Sequence, residues 1–316
     1  MNTQLLTSDE ILLAIDLIKR GELVAFPTET VYGLGASIFN FEAMASIFKV
    51  KGRPPDNPLI AHAHSLAQIE EIAIEIPDLF YRLAEVFFPG PLAIILKKHP
   101  LVPGIASAGL DSIAVRIPLH PIALKLIEGV GTPLVAPSAN LSGRPSATNP
   151  KHVMEDFEGK IAAVIDGGQA VVGIESTVIS LLGAHPTLLR PGHITKEAIE
   201  EVIKAPVQIA SDSRQGPVLS PGMKYRHYAP RTPIRVFDSL EALNAHLHSG
   251  TSKQMLLSRK SIPFLDHFDL SAKDFYSLLR QADEEDYDEI LIFCDEGILQ
   301  DAAIMNRLTK AAGISS

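Results

Sequence analysis

The chain has 316 residues, enough for one large domain or two ordinary ones, and at 46% apolar and 21% charged residues its composition is that of a globular protein. Lys and Arg number 28 against 37 Asp and Glu, and this balance of −9 argues against gripping nucleic acid over a wide surface while leaving room for a local basic pocket. A single cysteine, Cys294, excludes a disulfide framework and a cysteine-built zinc site, and with Asp9 and Glu10 interrupting the first turn and no long apolar run, the expectation is a soluble, cytoplasmic protein that neither carries a signal peptide nor crosses a membrane.

In chain order, Ser8 and Asp9 can cap a helix with an apolar stripe at Ile11, Leu12, Ile15 and Ile18, closed by Gly21. Leu23–Phe26 reads as a short buried strand, and Pro27-Thr28-Glu29-Thr30-Val31-Tyr32-Gly33 follows directly, where open α/β sheets place ligands. A helix over Phe41–Val50 delivers Lys51 and Arg53 on a Gly/Pro loop, which suits a polyanion or, more plainly, a helix C-terminus. Pro58–Ala63 is a strand ending near His62; Leu66–Ile74 and Leu79–Phe88 are amphipathic. Leu92–Leu96 and Ile113–Ile117 are apolar strands, and Arg116 inside the second needs either an anion or an edge position. Leu134–Pro137 releases Ser138-Ala139-Asn140-Leu141-Ser142; Ala162–Ile165 leads into a glycine turn; Ser176 and Thr177 open one strand and Arg190 ends another; Thr195 caps a helix to Ile203. Five strand ends thus carry polar or basic groups, at Thr30, His62, Ser138, Ser176 and Arg190, which suggests one shared pocket.

Between Pro206 and Pro233 the periodicity fades, yet Lys224-Tyr225-Arg226-His227-Tyr228 is too richly equipped for a passive linker. After Pro233, strands and helices alternate, implying a small parallel second domain without a dinucleotide fingerprint; the charge run Asp283–Glu289 reads as a solvated helix end. The expected domains are 1–205, a linker 206–233 that covers the site, and 234–316. There is no P-loop, nucleophile elbow or His-Glu-x-x-His, and His62 with His64 lacks a third metal ligand.

Taken together, Pro27–Leu34, Lys51-Gly52-Arg53-Pro54, Asn57–Ile60, Pro89–Leu92, Ala114–Pro118, Ala136–Gly143, Gly173–Val178, Leu189–Gly192 and Ser220–Pro230 resemble, in order, the long two-domain threonylcarbamoyl-AMP synthases of the YrdC family, and Ala303–Leu308 is similar to that family's small domain. Ala93 departs from the threonine often found there, with only a peripheral contact expected to change. The resemblance implies an α/β fold: an open twisted YrdC-like sheet domain with a central concave pocket, plus a smaller Rossmann-like domain. It implies a nucleotidyltransferase making threonylcarbamoyl-adenylate from L-threonine, bicarbonate and ATP with Mg2+, releasing pyrophosphate. The product would pass to the tRNA threonylcarbamoyl transferase machinery, with no stable nucleic-acid binding by this chain. Carbamate attack on the α-phosphorus concentrates negative charge, so fixed cations and donors matter most. Lys51, Arg53, Ser138 and Asn140 would be catalytic. Thr30, His62, Arg116, Ser138, Ser176 and Thr177 would form the threonine pocket, with Arg116 answered by the substrate carboxylate. Lys51, Arg53, Asn57, Ser112, Asn140, Ser142, Arg190, Tyr225 and His227 would hold ATP, and no protein residue is assigned to a metal. The rivals are an RNA-binding module of the same fold, against which the net charge weighs, and a hydrogenase-maturation carbamoyl transferase, whose zinc finger one cysteine cannot build.

Overall fold

The computed structural model describes residues 2–210, 227–247, 253–262 and 265–314. The chain divides into two compact units, residues 1–142 with 147–224, and residues 143–146 with 225–316. The expected linker is therefore shared out: Gln208–Ile209 pairs with a strand of the first unit, residues 227–233 go with the second, and 211–226 lie outside the described residues.

In the first unit the strands are β1 Gln4–Leu6, β2 Val24–Phe26, β3 Gly33–Ser37, β4 Ile60–His62, β5 Ala73–Ile74 and β6 Leu92–Lys98. They continue with β7 Ser112–Arg116, β8 Leu134–Val135, β9 Ala163–Ile165, β10 Thr177–Ser180, β11 Thr187–Arg190 and β12 Gln208–Ile209. Their order is β1-β9-β2-β3-β8-β4-β7-β6-β10-β11-β12, with β5 on β6. The sheet is mixed: β4/β7 and β6/β10 are parallel, whereas β2/β3, β3/β8, β4/β8 and β6/β7 are antiparallel. One core packs Met44, Phe48, Phe80 and Phe157 against Leu34, Ala61, Ile94 and Val115. A second joins the helices Ile11–Lys19 and Pro121–Val130 to Val24, Phe26 and Ile165.

Local chemistry accounts for the elements that frame the site. The Asn40 side chain accepts the Ala43 N–H at the start of helix Phe41–Lys51, and Gly52, at φ +61°, ends it, leaving Lys51 in the last turn. The first helix is introduced by Thr7 rather than Ser8, since Glu10 reaches back to the Thr7 N–H; Leu12, 74% exposed, is outside the buried stripe of Ala14, Ile15 and Ile18. Gly33–Ser37, read from sequence as part of the polar stretch after β2, is a strand. Glycine suits it because a Cβ at Gly35 would stand 2.8 Å from the Phe26 ring.

The second unit is a parallel sheet, β13 Ile234–Phe237, β14 Gln254–Ser258, β15 Phe268–Asp269 and β16 Glu289–Phe293, ordered β13-β16-β14-β15. The charge run expected to be solvated is buried at both ends. Asp283 accepts the N–H groups of Arg231 and Thr232, and Glu289 accepts from Arg235 and Gln254. Among the described residues no helix is long and apolar enough to cross a membrane.

Candidate active site

Strand alternation puts Ile60 and His62, Ala93 and Ile95, Ser112, Ala114 and Arg116, and Val178 on one sheet face, and Ile60, Ala93, Ile95, Ala114 and Val178 form a separate small buried cluster there. Ala93 is fully buried in this floor. It pairs with Val178 and lies one step from the Ile94–Val115 pair, beside Arg116, so its position is central and not peripheral.

Two groups of polar residues stand at opposite ends of this face. At one end His62 and Arg116 are register partners on β4 and β7. Arg116 donates from Nε to the Gly90 carbonyl (3.0 Å) and from Nη1 to Thr30 Oγ1 (2.9 Å). Its Nη2 is 2.5 Å from Glu29 Oε1, both side chains being at most 4% exposed. The buried charge thus has a partner within the protein in Glu29, which the sequence assignment did not include. Five guanidinium N–H groups against three partners leave two for a carboxylate. Thr28 donates to the Val31 carbonyl (2.6 Å) and so accepts the Thr30 hydroxyl proton (2.8 Å), which leaves Thr30 an acceptor toward any ligand. Burial, reinforced by Arg116, pushes the His62 imidazole down to about 3, so it is neutral at ordinary pH. Its Nδ1 faces the Ile60 carbonyl (3.2 Å), which favours the Nδ1–H tautomer and presents Nε2 as an acceptor.

Ser176 belongs to this end, just before β10, whose first residue donates its N–H to the Pro91 carbonyl. Arg190 is fastened to it, Nε on the Ser176 carbonyl (3.0 Å) and Nη2 on Ser176 Oγ (3.2 Å). Thr177 departs from expectation. One residue further along the strand it faces the opposite side, and its hydroxyl donates to the Ile194 carbonyl (2.6 Å) and accepts the Ile194 N–H (3.1 Å).

At the other end, Lys51 Nζ donates to the carbonyls of Ser138 and Asn140 at 2.5 Å each, and the Lys51 carbonyl accepts the Ser142 N–H. Lys51 therefore shapes the Ser138–Ser142 loop from beneath. Arg53 folds over its own loop onto the carbonyls of Asn57 (3.2 Å) and Pro58 (2.9 Å). Asn57 is buried, and its Oδ1 has no hydrogen-bond partner among the described residues. Ser112, level with Pro58 by extension of the β4–β7 register, falls at this end, about 13 Å along β7 from Arg116 at roughly 3.3 Å per residue. It lines a hollow of about 410 Å³ with Lys97, Asp111 and Leu181. His227 belongs to the second unit, its ring 5.6 Å from that of Tyr228, and Tyr225 lies outside the described residues.

Strand direction divides the five polar strand ends between the two ends of this face. Because β8 runs antiparallel to β4, Ser138 leaves at the end away from His62, and Thr30 starts from that same end, as the Gly33–Ser138 bridge requires. The Thr28–Tyr32 loop then crosses the face to put Thr30 on Arg116. The face thus carries one polar cluster around Arg116 and another around a lysine-held loop.

A family model described as Telomere recombination, of the Sua5/YciO/YrdC type, matches residues 16–192, and one described as the threonylcarbamoyl-AMP synthase C-terminal domain matches residues 194–313. The threonylcarbamoyl-AMP synthase of Pyrococcus abyssi is 44% identical over 96% of this chain and 94% of its own length. This chain belongs to the threonylcarbamoyl-AMP synthase family. The Bacillus subtilis member is 42% identical over 98% of this chain and 95% of its own. A solved structure described as P. abyssi Sua5 complexed with L-threonine superposes with a TM-score of 0.90 at 42% identity, covering 99% of this chain and 98% of that one. Fold and family are thus as the sequence motifs implied: a YrdC-like α/β domain followed by the family's C-terminal domain.

Proposed function

We propose that this chain makes L-threonylcarbamoyl-adenylate from L-threonine, bicarbonate and ATP, releasing pyrophosphate, as a nucleotidyltransferase. The observation that carries the reading is the pairing of poles on one sheet face. Arg116 has two N–H groups to spare beside neutral His62 and an accepting Thr30, which suits the carboxylate, amine and hydroxyl of one amino acid. The Ser138–Ser142 loop over Lys51, with Arg53, suits phosphates. P. abyssi Sua5 is described as complexed with L-threonine, and its relatives carry the name of this activity.

In this reading the threonine amine and bicarbonate form a carbamate at the Arg116 pole with loss of water. A carbamate oxygen attacks the α-phosphorus of ATP, and pyrophosphate leaves toward Arg53 and the Ser138–Ser142 loop. The protein orients the two reactants and stabilises charge; no side chain need become covalently attached. Mg2+ would arrive on the nucleotide and share its phosphate charge. Asn57 Oδ1, a buried amide oxygen without a hydrogen-bond partner, is a ligand of the hard type this ion accepts. The product would pass to a tRNA threonylcarbamoyl transferase in the cytoplasm, forming threonylcarbamoyladenosine beside the anticodon.

The test is pyrophosphate release from ATP and bicarbonate with and without L-threonine, serine being the control. Release that needs threonine and bicarbonate and prefers threonine to serine is expected. Threonine-independent release would replace this reading with that of an ATPase.

A further inference from the structure

Helix Phe275–Glu284 holds two separate stretches of chain with one face. Tyr276, Arg280 and Asp283, spaced four and three residues apart, share that face. Arg280 is 1% exposed and directs Nε (3.2 Å) and Nη2 (2.7 Å) at the carbonyl of Pro145. The Tyr276 ring lies 5.3 Å from that of Tyr228, tilted by 34°, and Tyr228 has φ +66°. Asp283 takes the backbone N–H groups of Arg231 and Thr232. The Ala229 N–H donates to the Gly143 carbonyl (2.8 Å), tying the two stretches to each other. Residues 143–146 belong to the second unit.

The stretch that Arg280 holds is the direct continuation of Ser138–Ser142. Upstream of Gly143 that loop is fastened by Lys51, and downstream of it by Arg280. Gly143 itself has φ +91°, a conformation that side chains rarely adopt, so the bend there is built in. A buried arginine is costly to retain, and two prongs on one carbonyl fix that carbonyl in a way a lysine cannot copy.

We propose that Arg280 is a positioning residue for the reaction. By holding Pro145 it sets where the Ser138–Ser142 loop ends. This inference rests on the proposed role of the Ser138–Ser142 loop.

The experiment uses the full chain with Arg280→Met, which keeps side-chain bulk without the charge, and Arg280→Lys. Hydrogen exchange at the amides of residues 142–148 is read beside threonine-dependent pyrophosphate release. Both variants are expected to exchange faster there while Thr177–Ser180 stays protected, and to lose on the order of 10- to 100-fold in kcat/KM, the scale of a small misplacement at a distance from the chemistry. Lysine is expected to restore little. Unchanged protection of residues 142–148, or wild-type kcat/KM in a folded Arg280→Met protein, would overturn the proposal. Global loss of protection in Arg280→Met together with wild-type kcat/KM in Arg280→Lys would also overturn it, leaving Arg280 a purely structural residue. If the wild-type chain released no pyrophosphate, the reaction reading would fail, and the exchange comparison would still decide whether Arg280 holds the loop.

Discussion

Glu29 Oε1 and Arg116 Nη2 stand 2.5 Å apart in the interior, with the Arg116 Nη1 hydrogen bond to Thr30 beside them. The pair fixes the guanidinium plane before any substrate arrives, which is the preorganisation that charge-stabilising sites require.

Removing one partner of such a pair leaves the other charged and buried. Glu29→Gln should therefore lower the unfolding free energy by about 3–5 kcal/mol. The double variant Glu29→Gln/Arg116→Met should recover much of that loss. Denaturant unfolding of the two single variants and the double variant checks this, and additive losses would show that the pair is not coupled.

His62 has a folded-state value of about 3 against an ordinary 6.5. The unfolded chain therefore takes up a proton that the folded chain refuses, and the stability this site contributes is complete above about pH 6.5 and lost as pH falls toward 3. The stability advantage of wild type over His62→Asn should shrink steadily from pH 7 to pH 4 in urea titrations. The pH–rate profile should show no limb near pH 6.5 from this residue.

Lys51→Ala and Arg53→Ala should each lower threonine-dependent pyrophosphate release by about a hundredfold or more, the scale of losing a charge-stabilising group. Lys51→Ala should also loosen the Ser138–Ser142 loop, since Nζ holds two of its carbonyls. Near-normal turnover in both variants would remove these residues from the machinery.

Ser176 and Thr177 are adjacent but face opposite sides of the sheet. Ser176→Ala should raise the KM for threonine and, by taking an acceptor from buried Arg190, also cost about 1–3 kcal/mol. Thr177→Val should cost about 1–2 kcal/mol through the lost Ile194 hydrogen bonds and leave that KM alone. The reverse pattern in threonine titrations would mean that Thr177 is the ligand.

Much of this molecule could be read in one dimension. The start of helix Lys196–Ile203 was legible because a cap is local: Thr195 acts within a few residues of itself. The parallel second domain followed from simple alternation of strands and helices. Arg116 stood out in the sequence as a charge within an apolar strand that needs a partner. Only the tertiary structure decided which groups answer one another. Glu29 neutralises Arg116 across 87 positions of chain. Arg190 serves Ser176, and Lys51 holds the carbonyls of a loop 87 residues away. No local pattern encodes such pairs, because they depend on strand order. Antiparallel β8 sends Ser138 to the end opposite His62, so the site spreads over a sheet face that the crossing Thr28–Tyr32 loop completes. Residue types and their spacing determined what chemistry this chain carries; the mixed direction of its strands decided where each group stands, because that direction sets which end of a strand each loop leaves from.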